Sequence, residues 1–203
     1  QRQMCIRDSN LPYAKSLIET PVFSHEGGFY QQAFDLVISH PDPTVSIYYT
    51  LDGSEPTGES IRYTKPLRIK SRAGEPNDLS MIPVPDFWEE PKEEVFKGLV
   101  VRAIAVSSQG VASNIQTRSF FLDEAGSERY SLPVISITTA RDNFFDPQMG
   151  IYTEQNASER GLQWERPAYL EFYEPDGSLG FAQGVGVRTH GEWTRRFAQK
   201  SLR

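Results

Sequence analysis

Apolar and polar residues alternate along most of this chain, and Gly, Pro, Asp and Ser interrupt the alternation at short intervals. A period of two residues puts every second side chain on one face of a strand, so the pattern predicts many short, half-buried strands. Pro21–Val22–Phe23 is an apolar entry, and Gly27–Gly28 makes a turn. From 29 to 39, Phe34, Leu36 and Ile38 share one face, Asp35 and Ser39 take the other, and Val37 breaks the polarity. Val45 to Leu51 is rich in β-branched and aromatic residues and predicts a second strand, closed by an Asp52–Gly53 turn. Tyr63 and Leu67–Ile69 form a short stretch broken by Pro66, which predicts an edge. Residues 71–91 carry Pro76, Pro83, Pro85 and Pro91 and read as a long loop, of a length that in a compact domain goes with function. Gly98 to Val106 predicts a central strand, and Ile115 to Leu122 a closing one. Residues 18–122 therefore read as a β-sandwich.

A polar linker over 123–130 separates this unit from a second pattern. Leu132 to Thr138 is a continuous apolar strand, and Ala140 to Asp146 a helical turn with Thr139 as its cap. Trp164 to Tyr173 alternates again, Pro175–Asp176–Gly177 turns the chain, and Phe181 to His190 answers it. Lys200 to Arg203 falls inside another strand pattern with no closing turn, so 131–203 reads as a domain cut short. Residues 1–17 are set apart as a non-native or linker segment, since Met4 to Ser9 fits neither period and resembles a translated adapter sequence.

Composition narrows the classes. Aromatics at 12% argue for a packed core rather than disorder. A net charge of −6 without a basic block argues against sequence-independent nucleic-acid binding. No apolar run is long enough to predict a membrane-spanning helix. Cys5 is the single cysteine, so no intrachain disulfide and no Cys/His zinc cluster is predicted.

Candidate chemistry is sparse. Arg188, His190, Arg195, Arg196, Lys200 and Arg203 form the one basic run, with Gly186 and Gly191 around them. It reads either as a turn over phosphates or as a hairpin whose cationic heads lie in water, and its spacing is not that of a Walker loop. Trp88, beside Phe87 in the long loop, reads as a sugar-stacking platform or as a loop anchor. Trp193 reads as a packing residue or as a ring facing a ligand. Asp142 and Asp146, or Glu171, Glu174 and Asp176, are the carboxylates available to a metal, and turn or cap roles explain the Asp residues as well. Asp52–Gly53–Ser54–Glu55 lacks the spacing of a calcium loop. His25 and His40 read as surface residues, and Asn156–Ala157–Ser158 is a glycosylation sequon.

Two resemblances add to this reading. Tyr48 to Thr57 (YYTLDGSEPT), with Pro21–Val22–Phe23, Gly27 to Tyr30, Tyr63 to Leu67 and Val101–Arg102–Ala103, resembles the chitobiase/β-hexosaminidase C-terminal type of Ig-like β-sandwich, also found beside fucosidase-like enzymes. Leu132 to Ile137, Gly150–Ile151–Tyr152, Trp164 to Ala168, Gly186 to Gly191 and Gln199 to Arg203 resemble the opening part of the CotH kinase-like family, named from spore coat protein H. The expected fold class is mainly β, an antiparallel Ig-like sandwich plus a truncated α+β kinase-like segment. The resemblance implies an exported bacterial parent, secreted or at the cell surface, that uses ATP and a divalent metal such as Mg to phosphorylate Ser-rich proteins. Arg188, Arg195 and Lys200 would then hold phosphate, with Lys200 as the phosphate-pairing lysine. The catalytic acids would lie beyond Arg203, the fragment itself would need no cofactor, and the sandwich would be a spacer or docking module. The alternative is a cell-surface adhesion or carbohydrate-associated binding module without catalysis, with Trp88 and Trp193 as ligand contacts and a cell-surface polymer as partner. A glycosidase fragment ranks last, because no facing carboxylate pair is apparent.

Overall fold

The computed structural model describes residues 18–84 and 88–203. The 1–17 segment, Cys5 and Phe87 lie outside the described residues. The chain is mainly β, with antiparallel sheets and a single short helix among the described residues.

The first layer of the sandwich is a five-stranded sheet in the order β2-β9-β8-β5-β6. Its members are β2 (Gly28–Tyr30), β5 (Ser46–Thr50), β6 (Ile61–Arg62), β8 (Leu99–Val106) and β9 (Gln116–Leu122). Facing it are two two-stranded ribbons, β1 (Val22–Phe23) with β4 (Ile38–Ser39) and β3 (Phe34–Leu36) with β7 (Leu67–Ile69). The core lies between the layers: Phe23, Leu36, Ile38 and Ile69 from the ribbons meet Val101, Ala103, Phe120 and Leu122 from the sheet.

The stretch read as one strand over 29–39 is divided into three. Leu36 and Ile38 are both buried, so the alternation holds, but the chain changes partner at Val37. The Val37 N–H and C=O are taken by Ser24 Oγ and Ser24 N, each at 2.9 Å, where a ladder bond would otherwise run. One pairing also departs from the expected antiparallel order: β2 runs parallel to β9. The loop over 71–98 holds a 3-10 turn at Leu79–Met81 and no strand among its described residues.

The second sheet is three-stranded, β10 (Val134–Thr138), β11 (Arg166–Tyr173) and β12 (Leu179–Val187), all antiparallel. The predicted hairpin at 175–177 is present: Asp176 Oδ1 accepts from Ser178 N at 2.9 Å and Gly177 has a φ of 84°. Helix α1 (Arg141–Phe145) starts at Ala140, and Thr139 does not cap it. The Thr139 hydroxyl instead donates to Pro167 O at 2.7 Å and fastens the helix to β11. One face of this sheet lies on the sandwich. The other is covered at one end, where Ala168 and Val187 pack with Ile151, Phe144 and Trp164.

Segment 123–130, read as a linker, packs against β2 through a 3-10 turn at Gly126–Arg129. Arg129 pairs with Asp123 at 2.6 Å and its guanidinium lies 4.2 Å from the centre of the Phe96 ring.

Candidate functional site: an arginine-lined cavity

The site is built where β12 runs on past Val187. Residues 188–190 pair antiparallel with 201–203 through three backbone bonds: Arg188 N to Arg203 O at 3.0 Å, Arg203 N to Arg188 O at 2.9 Å and His190 N to Ser201 O at 2.8 Å. Two residues that exchange both bonds stand directly opposite and point their side chains the same way. Arg188 and Arg203 are such a pair, and Thr189, next along, turns to the interior and donates to Ala157 O at 3.2 Å. The connecting turn needs the left-handed backbone of Gly191, at φ 96°, and then forms a 3-10 turn over Trp193–Arg196.

A cavity of about 420 Å³ opens beside this ladder, lined by Arg160, Arg188, Arg195 and Arg203 with His190, Glu159 and Glu192. Arg195 is 7% exposed and acts as the floor. Its Nε donates to Gly191 O at 2.7 Å, and its Nη1 donates to Glu159 O at 2.6 Å and Thr189 Oγ1 at 3.2 Å. Those bonds tie loop 157–161 to the turn. Burial, and then the neighbouring Arg160, Arg203 and Arg188 charges, lower the Arg195 pKa from its ordinary value, although a guanidinium stays protonated throughout the biological range. Arg160 meets Glu192 at 3.8 Å with both side chains mostly in water, a pair worth at most about 1 kcal/mol. The side chains of Arg188 and Arg203 make no hydrogen bond or ion pair with the described residues.

Four guanidinium groups around two carboxylates leave the cavity net positive. Planar forks of N–H donors match phosphate and carboxylate oxygens two at a time, so the arrangement is suited to an oxyanion. Arg188 and Arg195, named from the sequence, are brought together here. Arg160 was missed, being far from the basic run in sequence with no local signal that a turn returns it. Lys200 is not at the cavity: it is 6% exposed, its Nζ donates to Phe197 O at 2.9 Å and stands 5.2 Å from the Tyr152 ring centre. Trp193 is 69% exposed beside the Arg196 guanidinium, at 5.5 Å, and Trp88 is half-buried.

Among the described residues no group of three or more His, Cys, Asp or Glu side chains is placed to hold a metal ion. Asp146 Oδ1 accepts from Gln148 N and Met149 N, Asp176 closes its own turn, and Glu171 is sealed in the interior. Among the described residues the metal implied by the kinase resemblance has no ligand set.

Fold and site together define a β-sandwich protein with an appended three-stranded sheet and an arginine-lined cavity. Within it, residues 36–120 match the family described as Fn3 associated, a β-sandwich-type domain. The matched stretch runs from Leu36, the last residue of β3, to Phe120 within β9 and ends ahead of β10. No curated protein and no solved structure matches the chain.

Proposed function

We propose that the chain belongs to an exported bacterial phosphotransferase of the CotH type, in which the arginine cavity holds phosphate and the Fn3-associated sandwich is a docking module. The observation that carries the reading is the facing pair Arg188 and Arg203, two uncommitted guanidinium groups held side by side by a backbone ladder over the Arg195 floor. The ligand is then ATP or a phosphorylated Ser-rich protein, engaged through its phosphate oxygens. The catalytic carboxylates and the divalent metal belong to other parts of the full protein.

The test is titration of the chain with inorganic triphosphate and with ATP at low salt, read by calorimetry. Arg188→Ala and Arg203→Ala should each weaken binding about tenfold, the loss of one charge-assisted pair, and salt should weaken the wild type. Equal affinity in wild type and both variants, or no binding of either ligand, would remove the phosphate site. Binding of triphosphate but not of ATP would keep the site and reject the nucleotide. A second reading, a surface polymer-binding module, is favoured by the exposed Trp193–Arg196 pair. It is decided by whether Trp193→Ala loses retention on a polysaccharide column.

A further inference from the structure

Glu171 is on the face of β11 that meets the sandwich and is 0% exposed. Its Oε1 accepts from Tyr173 Oη at 3.0 Å and from Ser119 N of β9 at 3.3 Å. Its Oε2 is buried with no hydrogen-bond partner. Around it the joint is tight: Ser119 Oγ and Ser136 Oγ of β10 lie 2.8 Å apart, and the Tyr173 ring meets Phe29 and Phe121 edge-on at 5.6 and 5.8 Å.

We propose that Glu171 is a protonated latch between the sandwich and the three-stranded sheet, and that its ionisation loosens the joint. The two donors converge on one oxygen, as they would on the C=O of a neutral acid. The other oxygen has no donor, so a shared negative charge would be left half uncompensated in the interior. An unpartnered neutral O–H costs far less than an unpartnered charge. The charged and titratable groups facing the site fit this assignment. Arg118 of β9 is committed to Glu26 of the β1–β2 loop at 3.0 Å, Tyr173 and, from β2, Tyr30 are neutral phenols, and β10 presents Ser136. Burial raises the Glu171 pKa from its ordinary value, against the smaller opposing effects of the Ser119 and Tyr173 bonds and the Arg118 charge.

The sign follows from that rise. The closed joint holds its proton more tightly than the open one, so closure is complete below the ordinary carboxyl range. It weakens as pH climbs toward the raised value. Over that window the opening constant grows by up to about tenfold per pH unit.

The experiment is hydrogen exchange at the Ser119 amide across about pH 5 to pH 9, corrected for intrinsic rates, on the whole chain. The wild type should lose protection as pH rises, while Glu171→Gln, which keeps the acceptor and replaces the hydroxyl by an amide, should hold a flat profile. A flat wild type, or the same slope in Glu171→Gln, would overturn the latch. Tyr173→Phe gives an independent check, because removing a donor that favours the charged form should leave the onset in place and move the upper end of the loss of protection to higher pH. A shift to lower pH, or none, would count equally against it.

Discussion

The sandwich and the three-stranded sheet are built from similar sequence and end in different states. In the sandwich, strands on both sides supply apolar faces, and Leu36, Ile69, Val101 and Phe120 are almost wholly withdrawn from water. In the three-stranded sheet, β10 carries Val134, Ile135 and Ile137, yet Ile135 stays 56% exposed. Ile135, Phe172 and Phe181 stand in register across the sheet, with the two rings stacked at 5.3 Å, and nothing among the described residues covers that end. The face opposite is sealed against β9 by Tyr173 and Glu171. Apolar character therefore qualifies a residue for burial, and the presence of a second layer decides whether burial happens.

The comparison is broken most directly by removing one large side chain from each core. Phe120→Ala should cost about 3–5 kcal/mol, because Leu36, Ile69 and the Tyr30 and Phe34 rings surround it. Ile151→Ala, in the smaller cluster with Ala168 of β11 and Val187 of β12, should cost less, about 2–3 kcal/mol, since fewer buried side chains surround the gap. Urea denaturation of both variants measures the difference, and an equal or inverted order would show that the second core is the tighter one.

The joint between the two regions is the next largest effect. A Cβ on Gly27 would come within 2.6 Å of Tyr173 Oη and 3.0 Å of Ser119 O. Gly27→Ala should therefore force β2 from β11 and cost about 1–3 kcal/mol. Gly58→Ala, where an added Cβ meets nothing within 4 Å, is the matched control and should be neutral or slightly stabilising. Thermal melting of the pair separates a steric cost from a general effect of replacing glycine.

The smallest effect sharpens the contrast at the open face. Ile135→Thr keeps a β-branched residue in β10 and removes apolar surface from water, so stability should stay within about 0.5 kcal/mol. A loss as large as that of Ile151→Ala would mean that this face is covered in solution.

Much of this architecture was legible in the sequence. The central strand at Gly98–Val106, the hairpin at 175–177 and the alternation through Leu36 and Ile38 all appear where the period of two put them. The Arg188 and Arg195 cluster was visible as a basic run. Three things were not visible. The partner change at Val37 depends on a Ser24 hydroxyl thirteen residues away in sequence. Arg160 joins the cavity only because the buried Arg195 draws loop 157–161 against the turn. Glu171 read as a candidate metal ligand, and the docking of two sheets made it an interior acid.

The chain's own order of residues fixed where strands begin, where Gly and Asp turn them, and which face of each strand is apolar, because those depend on neighbours one or two positions apart. Tertiary structure alone decided which apolar faces found a cover, which cations stood free beside a cavity while Lys200 was buried, and which carboxyl lost its water. Each of those outcomes is set by groups distant along the chain that meet only when layers pack, and no local period carries that information.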